Sequence, residues 1–428
     1  MTIFLIANLF VPLQKFSQMK HILSFILLGV VMLFTACCHD DDHDNTFERT
    51  VLVYIAGDNN LNEFIKDDVQ QMVEGSKTIS KDKHRLILFV DKRSEKPYFQ
   101  EVSQGELTTV KTFDEELNTG DEETLQMAMK WVMDNYAAKS YGLVLWGHAD
   151  GWIIKNAEAR GPSRAYGIDE TNGQTWMDIP QMADALNSIT HNGTQPLKFI
   201  FADCCAFQCV ESAYELRNCT DYIIASPAEI PGEGAPYQTV VPAMFSKADD
   251  FYKGIVDAYY AQVSYGYHEP LSVVKTSELE NLAHATKATL ATFVPKLDNS
   301  RYPDVEGLIY YYDHTQFDMQ DFILRYADAN QYAEWRKAFD QAVIYKTMTT
   351  VWMANHVRYT NYNYDVFKDF TVTAERYGGL GMFVPQDAST ILAPEYQPYK
   401  LTFSIDALNT KIQKMQWYQA AGLNAVGW

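Results

Sequence analysis

Residues Lys198 to Leu216 read KFIFADCCAFQCVESAYEL, and the change of character at Asp203 decides the fold. The first half is apolar without alternation, as in a strand buried on both faces. The second half sets Ala206, Val210, Ala213 and Tyr214 at helical spacing. The expectation is a strand ending at Asp203 and a helix whose N-terminus holds Cys204 and Cys205. Backbone N–H dipoles there favour negative charge and lower a thiol's pKa, which makes a cysteine at that place a candidate nucleophile.

The same pattern recurs outward along the chain. RTVLVYIAGDNNLNEF gives an apolar run from Val51 to Ala56, the turn Gly57-Asp58-Asn59-Asn60 and a helix from about Leu61. RLILFVD is a second buried strand, ending at Asp91. EETLQMAMKWVMDNYAAK carries Leu125, Met129, Val132 and Tyr136 on one helical face and leads into the strand YGLVLWGH. DIPQMADALNSI leads as a helix into LKFIFAD, and DYIIAS makes a fifth strand. Strands that are apolar throughout and separated by helices imply an α/β fold, a mostly parallel sheet with helices on both faces. Functional groups in such sheets gather at the carboxyl ends of the strands. That rule selects His148, just past LVLWG, and Asp203-Cys204-Cys205, just past KFIF. A thiolate at Cys205 attacks, His148 protonates a leaving amine, and backbone N–H groups beside Cys205 and His148 hold an oxyanion.

Other readings of the cysteines stay open on residues alone. Cysteine is also a small core hydrophobe. Cys204, Cys205, Cys209 and His148 could be counted as zinc ligands, but no paired C-x-x-C knuckles occur. Cys219 is free to pair or to stay buried. At 428 residues and 47% apolar content the chain can form one large core or two modest ones. A net charge of −20 argues against nucleic acid as a partner, since phosphate binding needs clustered Lys and Arg. Cationic peptides or proteins suit that field better.

The N-terminus reads as an address. From Met19, taken as the working start, Lys20 and His21 precede an apolar run from Ile22 to Phe34 and then small residues before Cys37. That length suits a signal peptide and is short for a membrane span. The block LFTAC resembles the lipobox of bacterial lipoproteins, which implies lipidation at Cys37 and export to the cell envelope of a Gram-negative bacterium, at the outer membrane or cell surface. Residues 38–48 follow as an acidic tether.

The strings VLVYIAGDNNLNEF, NTGDEETLQMAMKWVMDNY, YGLVLWGHADGW, FADCCAFQCVESAYEL and YIIASPAEIPGEGAPY resemble, in that order, blocks of the clostripain family of cysteine peptidases. The resemblance covers roughly residues 49–237 and implies the caspase-like fold shared with gingipains, legumains and caspases. The family's W-x-H-x-x-G-W pattern falls on Trp146, His148, Gly151 and Trp152, which implies a catalytic His148. Its D-A-C-L-M-G pattern falls on residues 203–208, which implies Cys205 as nucleophile and Cys204 as a packing residue. It further implies Asp203 and Glu233 as the carboxylates that receive an Arg or Lys side chain at P1, with oxyanion donors at the Ala149 and Cys205 backbone. Ala149, Gln208 and Glu233 depart from the family's usual glycine, glycine and aspartate.

Relatives can be activated by cleavage after the catalytic histidine, and Arg160 and Arg164 in NAEARGPSRAYG are the candidate processing sites within the 155–165 linker. No cofactor is required by the thiol chemistry; some relatives depend on calcium, though no D-x-D-x-D-G loop occurs here. Residues 49–265 are expected to form the peptidase domain and 266–428 a C-terminal α/β extension packed against it. Helices are expected in LENLAHATKATLATFVPKL and EWRKAFDQAVIYKTM, a strand in GLGMFVP, and an aromatic packing surface in HVRYTNYNYDVFKDF. The reading is a lipid-anchored, exported cysteine endopeptidase; the alternative is an inactive surface lipoprotein of the same fold that binds peptides or glycans.

Overall fold

The computed structural model describes residues 46–154, 165–264, 266–297, 301–312, 315–352, 370–387 and 405–428. Cys37, the leader, residues 38–45 of the acidic tether, Arg160, Arg164 and all of the tyrosine-rich stretch but Phe370 lie outside them. The first strands in chain order are β1 (Arg49–Gly57), β2 (His84–Lys92), β3 (Glu95–Ser103), β4 (Glu106–Thr112), β5 (Tyr141–Trp146), β6 (Tyr166–Asp169), β7 (Thr175–Met177), β8 (Phe199–Asp203) and β9 (Tyr222–Ala225). Two later ones, here β10 (Ser272–Lys275) and β11 (Val343–Lys346), complete the main sheet, whose order is β11-β10-β9-β8-β5-β1-β2-β3-β4. The five strands expected from sequence are its parallel centre, β9-β8-β5-β1-β2. The flanks are antiparallel, β3 and β4 on one side and β10 and β11 on the other.

Alternate residues of β1 feed two cores. Leu52, Tyr54 and Ala56 pack with the helices Glu122–Asn135 and Ile179–Ile189, while Val51, Val53 and Ile55 pack with the helices Ile65–Ser76, Tyr237–Met244 and Phe251–Tyr260. Burial on both faces is why these strands read as unbroken apolar runs, each large side chain stabilising the fold by roughly 1.5–3 kcal/mol. The helices Leu279–Phe293 and Ala329–Ala342 join the first of these cores; the first forms where expected, while the second starts earlier and stops at Ala342, so that VIYK of the expected helix is instead strand β11. In the segment GLGMFVP only Gly381 and Met382 are paired as a strand.

Residues beyond 266 are built into this sheet, and Phe47–Trp428 make one compact unit. β10 pairs with β9, and the buried Gln208 amide donates to Ser272 O at 2.9 Å and Ser272 Oγ at 3.0 Å. Gln208 thereby fastens the loop that carries Cys205 to the C-terminal half. Glu211 Oε1 accepts from Phe383 N at 2.8 Å, and Glu215 Oε2 accepts from Gln416 Nε2 at 2.6 Å. Buried Lys411 donates to Ile154 O, the last described carbonyl before residue 155.

Candidate active site

β1, β5 and β8 end side by side, and the turns leaving them build one cleft of about 390 Å³. Its lining includes Asn60 after β1, His148 and Asp150 after β5, and Asp203 and Cys205 at the end of β8. Chain reversal at β1, with β2 on one side and β5 on the other, opens the crevice here.

Cys205 does not sit on a helix. The helix expected around it starts only at Val210, with Cys209 as its N-cap. Between β8 and that helix the chain runs beside residues 226–228: Ala206 N donates to Ala228 O at 2.8 Å and Gln208 N to Ser226 O at 3.0 Å. Ala206 takes a left-handed φ of 54°, which breaks any helical run through the cysteines. Helix-dipole activation of the thiol is thus overturned. Burial, and then the charge of Glu229, push the Cys205 thiol up instead, opposed by the Ile230 N–H, which donates to Sγ at 3.4 Å. Cys204 is buried in the core, as a packing residue. Cys204, Cys205, Cys209 and Cys219 are all free thiols.

His148 is half-buried, and its Nε2 lies 2.7 Å from Asn60 Oδ1. That amide fixes the ring through a side chain from the turn after β1. The bridge between Ala149 and Tyr166 is made through His148 O and Asp150 N, so it does not consume the Ala149 N–H. Gly151 has φ 69°, and a Cβ there would meet Gln316 Nε2 at 2.1 Å and Ala206 O at 2.8 Å. Glycine at this position lets the histidine loop close on the cysteine loop. Trp152, fully buried against Phe383, anchors the same loop.

Asp203 is buried beneath the cleft. Its Oδ2 accepts from Tyr237 OH at 2.7 Å and Ala235 N at 3.0 Å, and its Oδ1 from Tyr259 OH at 3.3 Å. Burial raises its pKa and these donors partly offset the rise. Gly234, at φ 58°, allows this approach, since a Cβ there would stand 2.8 Å from Asp203 Oδ2. Glu233 is not its companion in the lining. The turn closed by Gly234 N on Pro231 O at 3.0 Å leaves Glu233 exposed, while Glu229, four residues earlier, lines the cleft. Asp150, whose Oδ1 accepts from Tyr312 OH at 2.6 Å, is the third carboxylate in the lining, which among the described residues holds no Lys or Arg. Below the cleft, Trp146 Nε1 donates to Asp68 Oδ2 at 2.7 Å; burial and the Asp203 charge raise Asp68 to about 8.

The family model for the clostripain family matches residues 53–420. The chain belongs to the clostripain family. It is a cysteine peptidase, a hydrolase, as that membership and the thiol and imidazole on one cleft require. This clostripain-family chain is 27% identical to a secreted C11 cysteine protease from Bacteroides thetaiotaomicron solved with an irreversible peptide inhibitor, with a TM-score of 0.69 over 88% of this chain and 99% of that one. It is 28% identical to an inactive zymogen C11 protease from Parabacteroides distasonis, with a TM-score of 0.66 over 88% of this chain and 98% of that one. No match is found among curated proteins. The caspase-like α/β fold expected from the sequence blocks is the fold observed.

Asn60, Asp150, Glu229 and Tyr312 were not singled out by sequence reasoning. Asn60 and Glu229 lie inside quoted blocks, GDNNLNEF and SPAEIPGEG, where the rule that strand ends carry function points to them. Tyr312 comes from a distant segment, and no local signal marks it.

Proposed function

We propose that this clostripain-family peptidase cleaves after Arg or Lys, with Cys205 as nucleophile and His148 as its proton partner. The observation that carries the reading is the cleft itself: a thiol and an imidazole in its lining, with three carboxylates and, among the described residues, no Lys or Arg. A guanidinium or ammonium entering such a site gains charge-assisted bonds that a neutral side chain cannot. His148 takes the Cys205 proton, the thiolate attacks the carbonyl carbon, and the imidazolium returns the proton to the leaving amine; water then hydrolyses the thioester. The Ala149 and Cys205 N–H groups are the proposed oxyanion donors. A cationic P1 side chain beside Glu229 also counters the charge that holds the thiol neutral, so the right substrate favours the thiolate. Asp203 and Glu229 are the proposed P1 carboxylates, with Glu233 outside the cleft lining.

The same reading includes lipidation at Cys37, export to the outer membrane or cell surface, and self-cleavage at Arg160 or Arg164. Among the described residues no helix is long and apolar enough to cross a membrane. The test is to incubate the chain from Cys38 onward with fluorogenic peptides ending in Arg, Lys, Asp or Leu, beside Cys205→Ala. Cleavage after Arg and Lys that vanishes in the variant is expected. Cleavage only after Asp or Leu overturns the P1 assignment. Equal nicking at residues 160–164 in Cys205→Ala overturns self-processing, and palmitate labelling that persists in full-length Cys37→Ser overturns the anchor.

A further inference from the structure

Glu269 lies beyond the blocks that resemble the clostripain family, in the segment that leads into β10. β10 runs antiparallel to β9 with Ser272 opposite Ala225, so the residues before Ser272 leave the sheet on the edge where the parallel strands end. Glu229 and Ile230, which follow β9, line the cleft on that edge. Glu269 is 2% exposed and is not itself in the lining. Its neighbours show where it stands: the charges of Asp203 and Glu229 bear on it, and its own bears on Cys205 and on Tyr259, whose hydroxyl donates to Asp203 Oδ1.

Buried acids are ordinarily bonded, and this one is not. Glu269 Oε1 and Oε2 are both buried, and among the described residues neither has a hydrogen-bond partner; the Tyr267 side chain is near enough to favour the ionised form without bonding to either oxygen. Burial, then the charges of Asp203 and Glu229, hold the carboxyl well above the ordinary carboxylate range. A cation entering from the cleft offsets those charges. Asp203, by contrast, already spends most of its lone-pair directions on Tyr237, Ala235 and Tyr259. It can attract a point charge but has little acceptor capacity left. A guanidinium presents a planar fork of N–H donors that is best met by two oxygens side by side. Beside the cleft, the acid with two oxygens to give is Glu269.

We propose that Glu269 is a specificity residue of the P1 site: it receives the guanidinium of an arginine side chain that passes Asp203 and Glu229, and it makes the peptidase prefer Arg to Lys. The proposal rests on the basic P1 reading and adds to it a residue and a choice between the two cations. A lysine ammonium, a compact point charge, is met by Asp203 and Glu229. An arginine needs acceptors in the plane of its fork, and Glu269 supplies the pair that Asp203 has committed elsewhere. Held by no hydrogen bond, the Glu269 side chain is able to turn toward that cation. With no bond to any described residue, the carboxyl fastens no loop, so a structural role does not account for it.

The test is kcat/KM of the full chain and of Glu269→Gln on matched fluorogenic peptides ending in Arg, Lys or Leu, with thermal melts of both proteins. The parent is expected to favour Arg. Glu269→Gln should lose about ten- to a hundredfold on Arg and less than about threefold on Lys, the range of one charge-assisted pair. Gln keeps the shape of a protonated Glu, so the melting temperature should not fall. Glu269→Asp, which keeps the charge but draws it back by a methylene, should recover part of the Arg cleavage, and it carries the test if the Gln variant folds poorly. A parent that prefers Lys, or an Arg-to-Lys ratio unchanged in both variants, overturns the proposal and leaves the basic P1 reading standing. Equal losses on both peptides overturn it too and make Glu269 structural. A parent that cleaves after Leu but after neither Arg nor Lys removes the P1 reading itself, and the role of Glu269 with it.

Discussion

The segment after β8 and the turn after β1 line the same cleft, and they are held there by different means. Around Cys205 the backbone is tied in several directions: Ala206 N and Gln208 N bond to residues 226–228, Ala206 O accepts from Gln316 Nε2 at 2.7 Å, Gln208 O accepts from Gly381 N at 2.9 Å, and Asp203 below takes three donors. Around His148, Nε2 lies 2.7 Å from the Asn60 side-chain amide, on the turn after β1, and the ring lies beside Trp176. The cysteine side is tied to the C-terminal half of the chain. The histidine side is tied by backbone bonds to β6, Gly167 N to His148 O at 2.8 Å and Asp150 N to Ala165 O at 3.3 Å, and by the Asn60 amide to the turn after β1.

That contrast orders the expected effects of mutation. Cys205→Ala should lower kcat by at least about a thousandfold, since nothing replaces the nucleophile, while the melting temperature stays that of the parent; a large loss of stability would mean the thiol also holds the loop. His148→Ala should cost about a hundred- to ten-thousandfold in kcat, the range of a general acid–base group, and a smaller loss would shift proton transfer to another residue. Asp203→Asn tests whether a carboxylate already held by three donors still serves substrate. Cleavage after Arg should fall about ten- to hundredfold in kcat/KM, the worth of one charge-assisted bond, and cleavage after Leu far less. Equal losses for both peptides would make Asp203 purely structural.

Asn60→Ala should reduce kcat about fivefold with KM unchanged, matching a hydrogen bond of about 1 kcal/mol; an unchanged kcat would remove Asn60 from the site. Asp68→Asn, under both halves, should leave activity alone and alter only stability. Asp68 is raised to about 8 in the fold from an ordinary value of 3.8. Between those values the native chain keeps a proton the unfolded chain has lost, so this group's contribution falls as pH rises from about 4 to 8. Urea unfolding of Asp68→Asn should show a flatter pH dependence and greater stability at pH 8 than the parent, and identical slopes would mean that Asp68 is ionised in the fold.

The central sheet was legible because burial on both faces forces β1, β2, β5, β8 and β9 to be apolar without a break. His148 and Cys205 followed from their places at strand ends, and family blocks on either side agreed. β10 and β11 were less legible: they are four residues each, sit inside segments dominated by helices, and find their partners across long sequence separations. Gln208 likewise looked like a departure at a glycine position, and only its reach to Ser272 explains it.

The sequence by itself determined the α/β class, the parallel centre and the family to which the chain belongs, since these rest on periodicity and on local blocks. Tertiary structure decided the state of the site. Whether Cys205 lies on a helix turned on the φ of Ala206, and whether Glu229 or Glu233 faces the cleft turned on the close turn from Pro231 to Gly234. The upward push on the thiol sums burial with charges from Glu229, Asp150 and Glu269, residues far apart in the chain. Such a sum runs through space, and sequence order does not carry it.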